Sequence, residues 1–448
     1  MVTHRNGGDG SGGDGGAVAV IGWDPSLVRE VAERGLRPVM VRDVRAHLRG
    51  ASIALREETE EIVVEDITDV GDVWAGLTRH FGDRLHEDLR GIVTFDEFAV
   101  TTVAALTSLT NLPGTRPGQA VLMRDKHLQK QAVRAAGVPA AASRLTVPGS
   151  DLVRTPFPGP CVVKPVAGGG TAHTEVVRTE AAYEALLEKL AASATSPFVV
   201  EDLVDVAQEW IVDGAMRDGA VVFSSVGRYA APCLSYTTDT EPLHIYRADG
   251  TGEDERCAEA RAVAGKALQA LGYTDGVFHL ELLLDRSSDS FVFGEVAARV
   301  GGCLTQEAVL LRHGFSLAGA AVDVALGRPL RPAEGGPDDR WVAATSLHLP
   351  RGTIVKLPNP DRFTAPEDIH ELRIAALLGV NDDPAVRATT NWQGLALVSA
   401  TSAAGLDARM ADVRREFAEQ SLVAPTFGTG RRQRVFLADH EDALRRLL

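Results

Sequence analysis

The spacing of apolar and polar residues predicts alternating strands and helices over residues 17–120. Residues 17–21 are all apolar, as in a strand that is buried on both faces, and Asp24 followed by Pro25 is a typical helix start. Further strand patterns follow at residues 38–42, 61–64 and 91–95. Short buried strands that alternate with helices indicate an open α/β layer. The first turn, Gly22-Trp23-Asp24, lacks the glycine spacing that a dinucleotide site needs.

A helix is predicted to begin after Asp125, which caps it. Leu128, Ala132 and Ala135 would share its buried face. Lys126 lies in the first turn, where the positive end of the helix dipole disfavours a cation. A bound anion would explain this lysine, although exposed lysines at helix starts are common.

Lys164 interrupts the otherwise apolar strand pattern at residues 161–166, and a buried lysine needs a partner. A glycine-rich turn follows directly, before a second strand pattern at residues 175–177, and it consists of Gly168, Gly169, Gly170 and Thr171. The backbone N–H groups of such a turn can surround phosphate oxygens, whereas the plain alternative is a flexible hairpin turn. The lysine just before three consecutive glycines favours the phosphate interpretation.

The middle of the chain contains three strand patterns, at residues 198–204, 208–212 and 220–226. Residues 230–251 are polar and irregular, and we predict a loop there. Long loops in compact domains are often functional.

A hairpin with two facing glutamates is the most informative pattern. Over residues 276–285, apolar residues alternate with His279 and Glu281, and a polar turn leads to a second strand at residues 291–295. With the turn centred near Ser288, Glu281 falls opposite Glu295, where like charges repel. A raised pKa on one carboxylate, a neighbouring cation such as Arg299, or a bound Mg²⁺ would offset the repulsion. The plain alternative is a solvated pair of glutamates that Arg299 neutralises.

After this hairpin the pattern predicts helices at residues 304–312 and 316–325. Residues 341–448 combine short strand patterns with two helical stretches at the end, which indicates a smaller α+β unit.

Composition narrows the class of protein. The chain of 448 residues predicts about two to four domains, with 45% apolar and 24% charged residues as in globular proteins. A net charge of −15 disfavours a nucleic-acid or membrane surface as the main partner. The four cysteines are scattered without metal-ligand spacing, which is typical of a reducing compartment. We find no apolar run of about 18 residues and no signal-peptide pattern, and therefore expect a cytoplasmic location.

Six motifs, in their order along the chain, resemble those of the ATP-grasp superfamily: DKHLQKQAVRAAGVP, VVKPVAGGGT, FVVEDLV, QEWIVDG, FHLELLL and FGEVAARVGG. The resemblance covers nearly the whole chain apart from the N-terminal tail. Within the superfamily, the chain is most similar to carboxylate–amine ligases of the L-amino-acid ligase type. Those enzymes activate a carboxylate as an acyl phosphate with ATP and Mg²⁺, and an amine then attacks it.

The resemblance implies a fold class that combines α/β and α+β units in an ATP-grasp fold. A glycine-rich tail at residues 1–16, expected to be disordered, precedes an open α/β pre-ATP-grasp domain at 17–120. A two-lobed nucleotide-binding domain follows at 121–335, with a lid lobe at about 155–203. The remaining residues, 336–448, would form a small α+β domain.

The resemblance also implies the roles of individual site residues. Lys126 and Lys164 would hold the ATP phosphates, under a loop formed by Gly168, Gly169, Gly170 and Thr171. The segment Glu201, Asp202 and Leu203 would meet the adenine, and Glu209 would bind the ribose. Glu281 and Glu295 would bind Mg²⁺, while Arg299, His279 and the backbone at Gly302 would act on the reacting groups. The implied substrates are a small-molecule carboxylate and an amine, both expected to be amino acids, and the implied oligomer is a homodimer.

One position departs from the superfamily pattern. Ala297 stands where many ATP-grasp enzymes have a metal-binding asparagine. The L-amino-acid ligase branch also tends to have alanine there, so the departure favours that branch but leaves a second Mg²⁺ with fewer ligands. Two other interpretations stay open: a different ATP-grasp ligase, of the purine-pathway or biotin-carboxylase-like kind, and a protein that binds ATP without turnover.

Overall fold

The computed structural model describes residues 16–44, 59–150, 153–192, 196–237, 242–333, 339–350, 352–363, 366–376, 378–379 and 392–424. Apart from Gly16, the glycine-rich tail lies outside the described residues, as does the chain after residue 424.

The N-terminal part is an open α/β layer, as the sequence pattern predicts. Its strands are β1 (Ala17–Ile21), β2 (Arg37–Asp43), β3 (Glu60–Val64) and β4 (Leu89–Thr94), and its helices are α1 (Pro25–Glu33), α2 (Val70–Phe81), α3 (Leu85–Asp88), α4 (Val100–Thr110) and α5 (Pro117–Leu122). The four strands are parallel, in the order β3-β2-β1-β4. All of β1 is buried, because apolar clusters cover both faces of the sheet. The carboxyl ends of β1 and β4 lie side by side, so the turns that follow them share one edge.

A helix and a small antiparallel sheet come next. The elements are α6 (Lys126–Ala135), β5 (Ser143–Thr146), β6 (Cys161–Pro165), β7 (Glu175–Val177), α7 (Glu180–Ala191) and β8 (Phe198–Asp202). The strand order is β5-β8-β6-β7, and the glycine-rich turn joins β6 to β7 as a hairpin.

Helix α6 buries a different face from the one that its apolar residues predict. Its buried residues include Lys126, Gln129 and Lys130, whereas Ala135 is exposed. The apolar prediction was wrong here because the polar side chains of this face bond to neighbouring elements. Gln129, for example, donates to the carbonyl oxygen of Val296 and accepts from its N–H group.

An eight-stranded sheet forms the centre of the molecule. Its strands are β9 (Val206–Arg217), β10 (Ala220–Tyr229), β11 (His244–Arg247), β12 (Gly276–Asp285), β13 (Ser290–Ala297), β14 (Trp341–Leu347), β16 (Ile369–Ile374) and β17 (Gly394–Ala400). The remaining elements are α8 (Asp254–Ala270), α9 (Thr305–His313), α10 (Leu317–Ala325), β15 (Thr353–Lys356), α11 (Pro360–Phe363), α12 (Ala403–Gln420) and β18 (Leu422–Ala424). The strand order is β13-β12-β9-β10-β11-β14-β17-β16.

Strand β11 contradicts the prediction of an irregular loop over residues 230–251. It pairs with β10 on one side and with β14 on the other, so it joins the C-terminal strands to the central sheet. The pattern missed it because its buried face includes Arg247, whose charge is compensated by buried Asp213 at 2.9 Å. The domain boundaries stay predictions, but the eight-stranded sheet contains strands from both predicted domains, since β11 pairs with β14.

No single helix in the described part of the chain is long and apolar enough to cross a membrane. Helices α9 and α10 reach that length and composition only together, with a bend of 102° between them. Every residue of α10 is buried inside the protein.

Candidate active site

Glu281 and Glu295 lie opposite each other on β12 and β13, which confirms the predicted register. Near the turn the strands pair residue for residue, up to Leu282 with Phe293. Continuing that register would pair Glu281 with Gly294. A one-residue β-bulge at Gly294 shifts the pairing and brings the two glutamates together.

The bulge also turns Glu295 away from the apolar core. Phe293 before the bulge and Val296 after it both pack into the core, so the alternation of side chains shifts by one residue. Without that shift, Glu295 would share the core-facing side with Phe293. A Cβ atom on Gly294 would lie 2.9 Å from the carbonyl oxygen of Glu281, so the position needs glycine.

The buried Lys126 and the half-buried Lys164 both contact Glu295. The Nζ atoms of Lys164 and Lys126 lie 3.4 Å and 3.5 Å from its Oε2 atom. Burial alone would raise the pKa of Glu295, but these lysines, together with Lys130, outweigh it and lower the pKa to about 2. Lys164, which is half-buried, thus has a carboxylate partner, and the two cations come from α6 and β6.

Lys130, which the sequence analysis missed, contacts both the bulge and strand β8. Its Nζ atom donates to the carbonyl oxygens of Gly294 at 2.8 Å and Phe293 at 3.2 Å. The same atom lies 3.2 Å from Oε2 of Glu201, whose Oε1 lies 3.2 Å from Lys164. The available signal was a second lysine one helical turn after the first, which places both on one face of α6.

The glycine-rich turn lies beside these lysines. Lys126 donates from Nζ to the carbonyl oxygen of Gly168 at 2.7 Å, and its backbone N–H donates to that of Val166 at 3.1 Å. Gly170 and Thr171 have φ angles of +62° and +59°. That conformation is easy for glycine and strained for threonine, and strained backbone is typical of ligand-binding turns.

These groups line a first cavity of about 160 Å³. The residues on its wall that the sequence singled out are Lys126, Lys164, Gly168, Gly169, Gly170, Thr171, Glu201, Asp202, Leu203, Glu209, Glu281 and Glu295. The carboxylate of Glu209 is buried and accepts a hydrogen bond from the backbone N–H of Cys233 at 2.8 Å. Burial and the negative charge of Glu281 raise the pKa of Glu209 to about 8.

His279 is held by a buried carboxylate that the sequence did not reveal. Its Nδ1 atom lies 2.6 Å from Oδ1 of Asp213, and its Nε2 atom lies 3.6 Å from Glu281. Burial alone would lower the pKa of His279, but Asp213 and Glu281 outweigh it and raise the pKa to about 9. At neutral pH the ring is therefore a protonated hydrogen-bond donor rather than a base.

Arg299 pairs with Glu97 and not with the two facing glutamates. Its Nε atom donates to Oε2 of Glu97, and its Nη1 atom donates to the carbonyl oxygen of Val300 at 2.7 Å. The sequence suggested Arg299 as the cation that neutralises the glutamates, and this was wrong for the ion pair. Folding brings Glu97 beside it from the N-terminal layer, a partner 202 residues away in the sequence.

A second cavity of about 590 Å³ adjoins the first. Its wall includes His279, Arg299 and Gly302, and it shares Glu281 and Glu295 with the first cavity. Other charged residues on the wall are Asp24, Asp96, Glu97, Glu307 and Arg373. The turns after β1 and β4 and the central sheet, including its strand β16, therefore meet around one space.

The two facing carboxylates are too few for a self-sufficient metal site. Among the described residues, no group of three or more His, Cys, Asp or Glu could hold a metal ion. Mg²⁺ commonly takes only one or two protein carboxylates and completes its shell with water and phosphate oxygens. Glu281 and Glu295 therefore fit a Mg²⁺ that arrives with a phosphate group.

Solved structures with the same architecture identify the fold. The L-amino acid ligase from Bacillus licheniformis has a TM-score of 0.73 at 17% identity, over 95% of this chain and 100% of that chain. The phosphoribosylglycinamide synthetase from Anaerococcus prevotii has a TM-score of 0.66 at 14% identity, over 92% and 100%. The N5-carboxyaminoimidazole synthase from Aspergillus clavatus, in complex with ADP, has a TM-score of 0.64 at 16% identity, over 90% and 99%.

The fold of this chain is therefore the ATP-grasp fold, as the motifs predict. No protein-family model matches the sequence, and neither does any curated protein. At these identities, the similarity shows the fold.

Proposed function

We propose that the chain is an ATP-dependent carboxylate–amine ligase, which forms an amide bond through an acyl phosphate. The observation that carries this proposal is the junction of the two cavities at Glu281 and Glu295. A nucleotide in the first cavity and a carboxylate in the second would come together at that junction. The similarity of the fold to ligases, one of them an L-amino acid ligase, supports the proposal.

The first cavity fits the parts of ATP. Lys126 and Lys164 would exchange Glu295 for the phosphate oxygens, under the N–H groups of the glycine-rich turn. The backbone of Asp202 and Leu203, which line this cavity, would meet the adenine, and Glu209 would bind the ribose. The carboxyl group of Glu209 is buried in the cavity wall, where it would accept hydrogen bonds from the ribose hydroxyl groups.

Glu281 and Glu295 would hold Mg²⁺, which when bound neutralises phosphate charge and orients the γ-phosphoryl group. Holding the metal would also remove the repulsion between the two carboxylates. The alanine at position 297 leaves no third ligand on β13, in keeping with a site that is completed by phosphate.

The reaction would proceed in two steps at the junction. A carboxylate oxygen of the acid attacks the γ-phosphorus of ATP, the bond from that phosphorus to the β,γ-bridging oxygen breaks, and ADP leaves. An amine nitrogen then attacks the acyl carbon, the bond from this carbon to the phosphate oxygen breaks, and phosphate leaves. Arg299 and the N–H groups near Gly302 would stabilise the oxyanion of the second step.

His279 would serve as a donor in this scheme. Its ring is held by Asp213 and is positively charged at neutral pH, so it would orient a carboxylate or phosphoryl oxygen beside Glu281. The proton that the attacking ammonium group must lose would go to water or to the departing phosphate. We infer that both substrates are amino acids or close relatives, and that the reaction takes place in the cytoplasm.

The test is phosphate release from Mg-ATP with purified protein and pairs of L-amino acids, with each pair compared with its single members. Release that needs both partners and Mg²⁺, with a product of the condensed mass, is the expected result. Tight ATP binding without phosphate release for any acid and amine would contradict the proposal and favour a protein that binds ATP without turnover. Release that needs bicarbonate or a ribonucleotide amine would instead identify a different ATP-grasp ligase.

A further inference from the structure

One carboxylate of the N-terminal layer lies between two arginines of the candidate active site. Glu97 belongs to the turn after β4, at the edge of the parallel sheet that faces the second cavity. Its Oε1 atom accepts from Nη1 of Arg124, and its Oε2 atom accepts from Nε of Arg299. The side chains of Arg124, Glu97 and Arg299 are 8%, 13% and 19% exposed, so water screens these charges little.

Arg124 also contacts the segment just before the glycine-rich turn. The ion pairs of Arg299, Glu97 and Arg124 therefore form a bridge from the second cavity to this turn. The Nη2 atom of Arg124 donates to the carbonyl oxygen of Ala167, the residue directly before Gly168. Its guanidinium group also lies 5.2 Å from the centre of the Phe98 ring, which limits its movement. A Cβ atom on Gly169 would lie 3.5 Å from Cγ of Glu97, so this turn also lies beside the side chain of Glu97.

The bridge fixes the orientation of the Arg299 guanidinium group and leaves one of its nitrogen atoms for a ligand. Nε is bound to Glu97 and Nη1 to the carbonyl oxygen of Val300. No hydrogen bond joins Nη2 to any residue that the structure describes, although Arg299 lines the second cavity. A guanidinium group that is fixed through two nitrogens can present the third to a ligand without losing further freedom.

The charges make Glu97 necessary for this arrangement. Burial lowers the pKa of Arg124 to about 10, and the repulsion of Arg299 adds to this effect. Without the carboxylate between them, two partly buried guanidinium groups would face each other unpaired, which is costly. They would then move apart, and the links to Ala167 and to the second cavity would be lost together.

We propose that Glu97 is a positioning residue that couples the placement of Arg299 to closure of the glycine-rich turn, through Arg124 and the carbonyl oxygen of Ala167. This inference rests on the proposed function, in which Arg299 acts on the reacting groups and the turn covers the ATP phosphates. The coupling would keep the turn closed when the arginine is in place, and so protect the acyl phosphate from water.

The first experiment uses nucleotide alone and needs no known substrate. Amide hydrogen exchange over residues 166–172 is measured with and without Mg-ADP for the wild type, Glu97→Gln and Arg124→Gln. The control is Glu61→Gln, because Glu61 pairs with the buried Arg42 on the same parallel sheet, away from both cavities.

We expect Mg-ADP to slow exchange in the wild type and in Glu61→Gln. The protection should fall by about tenfold in Glu97→Gln and Arg124→Gln, while their affinity for Mg-ADP changes little. Unchanged protection in both bridge variants would overturn the proposal, as would an equal loss in Glu61→Gln. Thermal unfolding of each variant checks that it is folded. Glu97→Gln removes the carboxylate and Arg124→Gln removes its partner cation, so if one variant does not fold, the protection measured in the other still tests the proposal.

The second experiment measures turnover with the pair of L-amino acids that releases phosphate fastest in the wild type. Glu97→Gln should lower kcat by about 10²-fold with little change in KM for ATP, because a misplaced arginine affects the reaction and not nucleotide binding. Glu97→Asp should recover part of kcat, which a merely structural role would not predict. The double variant with Arg124→Gln should lose less than the product of the single losses.

A kcat for Glu97→Gln equal to that of the wild type would overturn the proposal. If the wild type itself shows no turnover with any pair, it is the proposed function that has failed, and the exchange experiment still decides whether Glu97 controls the glycine-rich turn.

Discussion

The ammonium group of Lys130 donates a hydrogen bond of 2.8 Å to the carbonyl oxygen of Gly294, the residue that forms the β-bulge in the central hairpin. A bulge leaves backbone groups without ladder partners, and a buried carbonyl needs a donor. Lys130 therefore supplies from helix α6 what the neighbouring strand cannot. Because the bulge turns Glu295 toward the cavities, a side chain with no place in the proposed chemistry determines the geometry of the metal carboxylates.

Replacing Lys130 with methionine tests this support. Lys130→Met keeps most of the apolar stem but removes the charge from a side chain that is 1% exposed. It leaves Glu201 with one cation fewer and two carbonyl oxygens without their donor. We expect the free energy of unfolding in urea to fall by about 3–5 kcal/mol. Lys266→Met, on the exposed side of α8, is the control and should change it by no more than about 0.5 kcal/mol. Equal stabilities of the wild type and Lys130→Met would contradict the assigned role.

A methyl group at the bulge should disturb the two facing carboxylates. In Gly294→Ala the new Cβ would lie 2.9 Å from the carbonyl oxygen of Glu281, so the strands must move apart. We expect a loss of about 1–3 kcal/mol in unfolding free energy and a higher Mg²⁺ concentration for half-maximal phosphate release. Gly265→Ala is the matched control, since a Cβ there meets no atom within 4 Å and alanine favours helix α8. An unchanged Mg²⁺ dependence would argue against these carboxylates as metal ligands.

Truncation of Arg299 should separate catalysis from nucleotide binding. In the proposed scheme Arg299 acts on charge that develops during the reaction, so Arg299→Ala should lower kcat by about 10²–10³-fold. The dissociation constant of Mg-ATP, measured by calorimetry, should change little because Arg299 does not line the first cavity. Arg286→Ala, in the exposed hairpin turn, should behave like the wild type. A normal rate in Arg299→Ala would remove this residue from the scheme.

The free energy of unfolding should fall at acid pH, in part because Asp249 becomes protonated. Burial would raise the pKa of this carboxyl group, but His313, Arg261 and the backbone N–H of Val226 outweigh it and lower the pKa to about 2. A lowered folded-state pKa stabilises the protein above the unfolded-state pKa of about 4 and loses that contribution as the pH falls towards 2. The difference in unfolding free energy between the wild type and Asp249→Asn should shrink by about 2 kcal/mol between pH 5 and pH 2. A difference that is independent of pH would contradict this.

The sequence predicted correctly that Glu281 faces Glu295 in the hairpin, but the register that it assumed was incomplete. It assumed a turn centred near Ser288, from which Glu281 and Glu295 fall opposite each other by simple counting. The structure reaches the same pair through a turn half a residue earlier and a bulge at Gly294. A bulge depends on a donor such as Lys130, which is 163 residues away from Phe293 in the chain. Spacing along one hairpin cannot reveal such a donor.

Buried charge explains the predictions that failed. Helix α6 was assigned the wrong buried face and β11 was assigned to a loop, because hydrophobic patterning treats lysine and arginine as exposed. Lys130 and Arg247 are instead among the most buried side chains, each with a carboxylate partner at 3.2 Å and 2.9 Å. The partners come from other strands, so their compensation becomes visible only after folding.

By itself, the sequence determined the order of most strands and helices, the glycine-rich turn after Lys164 and the facing pair of glutamates, because those features follow from local periodicity and from residues close together in the chain. The ordered motifs pointed to the ATP-grasp fold for the same reason. Only the tertiary structure decided that Glu97 lies between Arg124 and Arg299, that Asp213 holds His279, and that the two cavities meet at Glu281 and Glu295. Those contacts join residues between 27 and 202 positions apart, and their energies depend on burial, which no single stretch of sequence specifies.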